Sequence, residues 1–114
     1  MAKGIRTGDA PFHVQTLTVA GSTQATAMAV SSLSSPALIL AQGNLPGGIR
    51  LPSGSKGKAY LIKNTGTLSM QVLLIYPEVG GVIDVLAPNA PYSLGQSISR
   101  WFFADGAGTW HVNL

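Results

Sequence analysis

Few side chains in this sequence could do acid–base or metal chemistry. They are His13 and His111, with the carboxylates Asp9, Glu78, Asp84 and Asp105. Cysteine is absent, so thiolate chemistry and a disulfide framework are both excluded. A zinc site without thiolates would need several histidines and carboxylates at short spacing. The two histidines stand at opposite ends of the chain with no acid at ligand spacing, and they read as ordinary strand residues. A Ser–His–Asp triad is recognised by geometry rather than by order. Serine is plentiful, but no Gly-x-Ser-x-Gly elbow occurs. A glycosidase-like carboxylate pair has only four acids to draw on. Of these, Glu78 and Asp84 flank a turn and read as solvated. Residues 48–58 resemble a phosphate loop only loosely. Pro52 stands where the first glycine belongs, and Ala59 follows Gly57 and Lys58 where a Ser or Thr is needed. A strand then follows, so no helix N-terminus is available for a phosphate. The expectation is a protein with no catalytic residues, no metal and no cofactor.

The remaining polar chemistry is basic. Arg50, Lys56 and Lys58 form the one local cluster, and Lys3 and Arg6 lie near the N-terminus. A nucleic-acid binder would carry a denser basic stripe. The cluster reads either as a solvated loop or as a contact with an acidic patch on a larger body. Trp101, Phe102, Phe103 and Trp110 crowd into the C-terminal stretch, where core and interface packing is the default. The alternative is a sugar-stacking platform built from Trp101, Asp105 and Trp110.

Composition says what must position these groups. Of 114 residues, 46% are hydrophobic but only 10% are charged, against about 25% charged in an ordinary soluble domain. So small a charged surface implies cover by sister subunits or a larger assembly. A membrane does not account for the deficit. The longest apolar runs, 37–41 and 72–76, fall far short of the ~18–20 residues that span a bilayer. Lys3 and Arg6 have no apolar stretch behind them, so the N-terminus does not read as a secretory signal.

Fourteen glycines and seven prolines cut the chain into short segments. Residues 1–11 read as an extended N-terminal arm and 12–114 as a single β domain. Alternation and β-branched content predict strands at 12–19, 25–33, 37–41, 58–64, 69–76, 82–86, 92–94, 97–104 and 109–112. Residues 43–57 hold five glycines and two prolines and are expected to lack regular structure except around 49–51. Asp105, Gly106, Ala107 and Gly108 form a hairpin turn. The predicted class is all-β: an antiparallel β-sandwich, jelly-roll-like, or a small barrel.

The best strands are apolar on both faces. Across 69–76, Met70, Val72, Leu74 and Tyr76 oppose Leu73 and Ile75. Tyr60 and Ile62 oppose Ala59 and Leu61, and Ile98 and Phe102 oppose Trp101 and Phe103. A simple sandwich keeps its outer face polar, so these strands need a second apolar neighbour. The expected neighbour is another subunit across Met70, Val72, Leu74, Tyr76, Trp101 and Phe103; the competing reading is a long loop folded over the outer face.

Residues 57–114 carry an ordered set of motifs. Gly-Lys-Ala-Tyr-Leu-Ile-Lys-Asn-Thr-Gly (57–66) leads to Val-Leu-Leu-Ile-Tyr-Pro (72–77) and Gly-Gly-Val-Ile (80–83). Leu-Ala-Pro-Asn-Ala-Pro-Tyr-Ser-Leu (86–94) follows, then an aromatic strand and Gly-Thr-Trp (108–110). This half of the chain resembles a module of phage virion proteins, found in capsid decoration (cement) proteins of tailed bacteriophages and in some fibre or tail-associated proteins. The resemblance implies a jelly-roll or barrel protein that acts in the virion as a homo-oligomer, dimer or trimer, on the major capsid protein. Lys3, Arg6, Arg50, Lys56 and Lys58 are then the expected capsid contacts. The alternative is a fibre or spike module binding cell-surface glycan.

Overall fold

The computed structural model describes residues 13–31, 36–43, 47–53, 57–66 and 72–113. Among them there is no helix. The strands are β1 (His13–Thr18), β2 (Met28–Ala29), β3 (Ala37–Gln42), β4 (Gly47–Arg50), β5 (Ala59–Asn64), β6 (Val72–Tyr76), β7 (Val82–Ile83), β8 (Tyr92–Gly95), β9 (Ser99–Ala104) and β10 (Thr109–Asn113). They form a six-stranded sheet, β1-β3-β5-β9-β10-β7, and a four-stranded sheet, β2-β4-β6-β8.

Odd and even strands alternate between the sheets as far as β6. Within each sheet these strands run parallel: β1 on β3 on β5, and β2 on β4 on β6. A parallel pair needs a long crossover, and here the crossover is the strand in the other sheet. The chain therefore winds three coils, each contributing one strand to each wall, as in a small β-solenoid. His13, Ala37 and Tyr60 share a register row, which sets the coil lengths at 24 and 23 residues. The C-terminal part closes this stack with antiparallel pairings of β9 on β5, β10 on β9 and β8 on β6.

The all-β class stands. The antiparallel, jelly-roll pairing is corrected, because five of the eight strand pairings among the described residues are parallel. Strand alternation carries no direction, so a strand's own sequence reads alike in either pairing. A second correction concerns 43–57, where Gly47 and Gly48 are buried in β4. A Cβ on Gly48 would lie 3.1 Å from Gly21 O and 3.2 Å from both Ala27 Cβ and Leu74 O. Glycine stands there for close approach of backbone, not for a loop.

One core fills the space between the sheets. Ile39, Tyr60, Ile62, Phe102 and Trp110 from the larger sheet meet Ile49, Leu73, Ile75 and Leu94 from the smaller. Trp110 stacks on Tyr60 at 5.4 Å, and Tyr92 meets Phe102 edge-on at 5.5 Å. Asn64 is fully buried. Its Nδ2 donates to Leu94 O at 3.0 Å and its Oδ1 accepts the Gly66 N–H at 2.9 Å, which ties one sheet to the other.

Candidate interaction surface

Side chains alternate along each strand, so the buried residues of β3, β5 and β9 define the outer residues between them. Val14, Leu38, Leu61 and Trp101 occupy one register row across β1, β3, β5 and β9, with Asn113 of β10 completing it. At strand spacing this row is roughly 19 Å long. Leu40 lies in the row on one side, while Ala59 and Phe103 lie in the row on the other. Trp101 and Phe103 pack with their rings nearly parallel, 5.8 Å apart. Val14 is 60% exposed, and Leu38, Leu40, Leu61, Trp101 and Phe103 are half-buried. Polar residues flank the stripe: Thr16, Lys63 and Ser99 share the row of Leu40, and His111 stands beside Phe103.

The outer face of the smaller sheet differs. Residues 21–27 turn back over it. The Tyr76 hydroxyl donates to Ser22 O, and Arg50 Nη1 donates to Gln24 O at 2.9 Å. Ala27 is buried above Gly48. Tyr76 retains 8% exposure, so its side chain belongs to this protomer's own packing and not to an accessible interface. Folding by the chain itself, the competing reading of the two-faced strands, applies at this position. Val72 and Leu74 remain half-buried beside it.

The expected interface residues thus divide between two sheets. Trp101 and Phe103 lie on the open stripe, Val72 and Leu74 lie on the other sheet, and Tyr76 is covered. Met70, Lys3, Arg6 and Lys56 lie outside the described residues. Of the expected capsid contacts, Arg50 is held by the turn and Lys58 is half-buried next to β5. Sequence reasoning missed Leu38, Leu40 and Val14 as partners of Leu61 and Trp101. The available signal was the near-equal spacing of Val14, Leu38 and Leu61, which parallel coils place side by side.

The sugar-stacking trio is not assembled, because Trp110 is in the core. Asp105 instead organises the hairpin. Its Oδ1 accepts the N–H groups of Ala107 (2.7 Å) and Thr109 (3.2 Å), and its Oδ2 lies 3.1 Å from His111 Nε2. The Ala107 N–H, and after it the His111 imidazole, hold the Asp105 carboxyl below the ordinary carboxylate range. His111 Nδ1 lies 4.0 Å from Asp84 Oδ1, which also accepts the Val112 N–H at 3.2 Å. The imidazole therefore sits between two carboxylates that are each tied to backbone.

No protein-family model, curated protein or solved structure matches the chain.

Proposed function

We propose that the protein is a capsid decoration protein of a tailed bacteriophage, working as a homo-oligomer, dimer or trimer, on the outside of the major capsid shell. The observation that carries this reading is the apolar stripe Val14–Leu38–Leu61–Trp101 with Leu40 and Phe103, standing on a chain that is only 10% charged. Magnitudes favour association of modest strength. Full burial of a large apolar side chain contributes about 1.5–3 kcal/mol, so covering the exposed Val14 and completing the five half-buried side chains adds about 1 kcal/mol each. Two copies together bring about 12 kcal/mol, within the ~4–15 kcal/mol that association costs in lost freedom. Side-chain packing of the aromatics tips that balance. On a shell, several such contacts made at once multiply through effective concentration. Binding the expanded shell alone then stabilises that form by mass action.

The mechanism is mechanical: subunits join through the stripe around a closed axis, and each copy bridges shell subunits. Lys58 and the basic residues Lys3, Arg6 and Lys56 are the shell contacts this reading assigns. Purified protein added to undecorated heads, and separately to host cells, tests it. Retention on heads supports decoration, whereas retention on cells alone supports a glycan-binding fibre or spike module and defeats decoration.

A further inference from the structure

The larger sheet ends on a strand of two residues. β7 meets β10 through Val82 beside Thr109 and Ile83 beside Trp110. Two backbone bonds bracket the pair: the Val82 N–H donates to Gly108 O at 3.0 Å and the Asp84 N–H to Trp110 O at 2.8 Å. Just past β7, Asp84 takes a left-handed conformation at φ +51. Its Oδ1 accepts the Val112 N–H of β10 at 3.2 Å.

His111, between Trp110 and Val112 on β10, turns one ring nitrogen to each of two anchors. Nε2 lies 3.1 Å from Asp105 Oδ2, in the turn that joins β9 to β10. Nδ1 lies 4.0 Å from Asp84 Oδ1, at the end of β7. Phe103 of β9 stands opposite His111, Ala59 of β5 follows in the same row, and Thr109 and Asn113 flank it along β10; none of these carries a charge. Lys58 lies across β9, where its carbonyl takes the Ala104 N–H.

Proton counting decides what this arrangement can hold. An ionised carboxylate only accepts, a neutral imidazole carries one N–H, and an imidazolium carries two. The neutral ring can therefore donate to Asp105 or to Asp84, never to both. The protonated ring donates at each nitrogen, and both bonds are then charge-assisted.

We propose that His111 is a proton-operated clamp: with a proton taken from water its ring donates to Asp105 and Asp84 together and fastens the end of β7 to the β9–β10 hairpin, and when that proton returns to water the ring keeps Asp105 and releases Asp84. The clamp does not depend on the decoration reading. It contributes while the ring is charged and both carboxylates are ionised. That contribution is lost as pH rises and the imidazole gives up its proton, and lost again in acid strong enough to protonate the carboxylates. All three side chains are partly exposed, so solvent screening keeps the effect small.

The test compares the wild type with His111→Gln, which offers an N–H but no titrating proton. Melting and the amide exchange of Asp84 and Val112 are measured for both at about pH 5.5 and about pH 8, and the ring nitrogens of His111 are followed by NMR. In mild acid the wild type is expected to melt higher and to exchange the two amides about two- to fivefold more slowly than the variant, the scale of an exposed ion pair. At the higher pH that gap narrows, and the neutral ring carries its proton on Nε2. A gap that is equal at the two pH values, or wider at the higher one, overturns the clamp, as does a neutral ring protonated on Nδ1. Asp84→Asn keeps an acceptor for the Val112 N–H and suits the left-handed backbone, so it removes the charge without the fold. It is expected to abolish most of the pH dependence. A pH dependence that survives intact in Asp84→Asn leaves Asp105 as the sole partner of the ring and overturns the clamp.

Discussion

The two outer faces of this molecule solve the same problem differently. Each sheet holds central strands that are apolar on both sides, β3 and β5 in the larger and β6 in the smaller. Over the smaller sheet the chain lays its own turn, residues 21–27, and buries Tyr76 against Ser22. Over the larger sheet a stripe of leucines and aromatics is left half-buried, with Val14 60% exposed at its edge. A two-faced strand therefore shows that cover is needed without saying who supplies it. Where the protomer supplies it, substitution costs stability; where a second copy does, as proposed for the stripe, substitution costs association.

The sharpest division is expected at Tyr76. Tyr76→Ala opens a cavity and removes the Ser22 contact, at about 3–5 kcal/mol of unfolding free energy, read by denaturant titration, while native mass at matched folded fraction stays that of the wild type. Loss of association with unchanged stability would place Tyr76 in an interface and break the comparison.

Gly48→Val thrusts methyl groups into the space held by Gly21 O and Ala27. The overpacking is expected to cost about 1–3 kcal/mol and to raise amide exchange in residues 21–27 specifically. A variant as stable as the wild type would mean that the turn is not seated on β4. Asn64→Ala removes the bond to Leu94 O that ties the two sheets. Leaving that carbonyl and the Gly66 N–H without their partner is expected to lower stability by about 1–3 kcal/mol, again with association unchanged.

The pattern of strands was legible in the sequence because alternation and turn residues are local. Residues 37–41, 58–64 and 109–112 were placed within a residue or so of β3, β5 and β10. Strand direction was not legible, since the parallel stacking of β1, β3 and β5 depends on coil lengths of 24 and 23 residues with no repeated motif to mark them. Only the end of β4 at residues 49 and 50 was legible, because Gly47 and Gly48 read as loop, although their lack of side chains is what admits the overlying backbone. Of the apolar stripe, Trp101 and Phe103 were legible from their own strand. Val14 and Leu38 were not, because only the parallel register brings them beside Leu61.

The smallest effect belongs to the hairpin. Asp105 is held below the ordinary carboxylate range by the Ala107 N–H and His111. Its contribution is thus present above the unfolded-state value and lost as pH falls through the folded one. The melting difference between wild type and Asp105→Asn is expected at neutral pH and to vanish on acidification below the carboxylate range. A difference that persists in acid would remove the charge from the explanation.

Native mass measurement of the wild type and Leu61→Asp at micromolar concentration tests the division of labour most directly. The account predicts a dimer or trimer for the wild type and a folded monomer for Leu61→Asp. A wild type that is monomeric at every concentration, or a Leu61→Asp variant that still assembles, would contradict it.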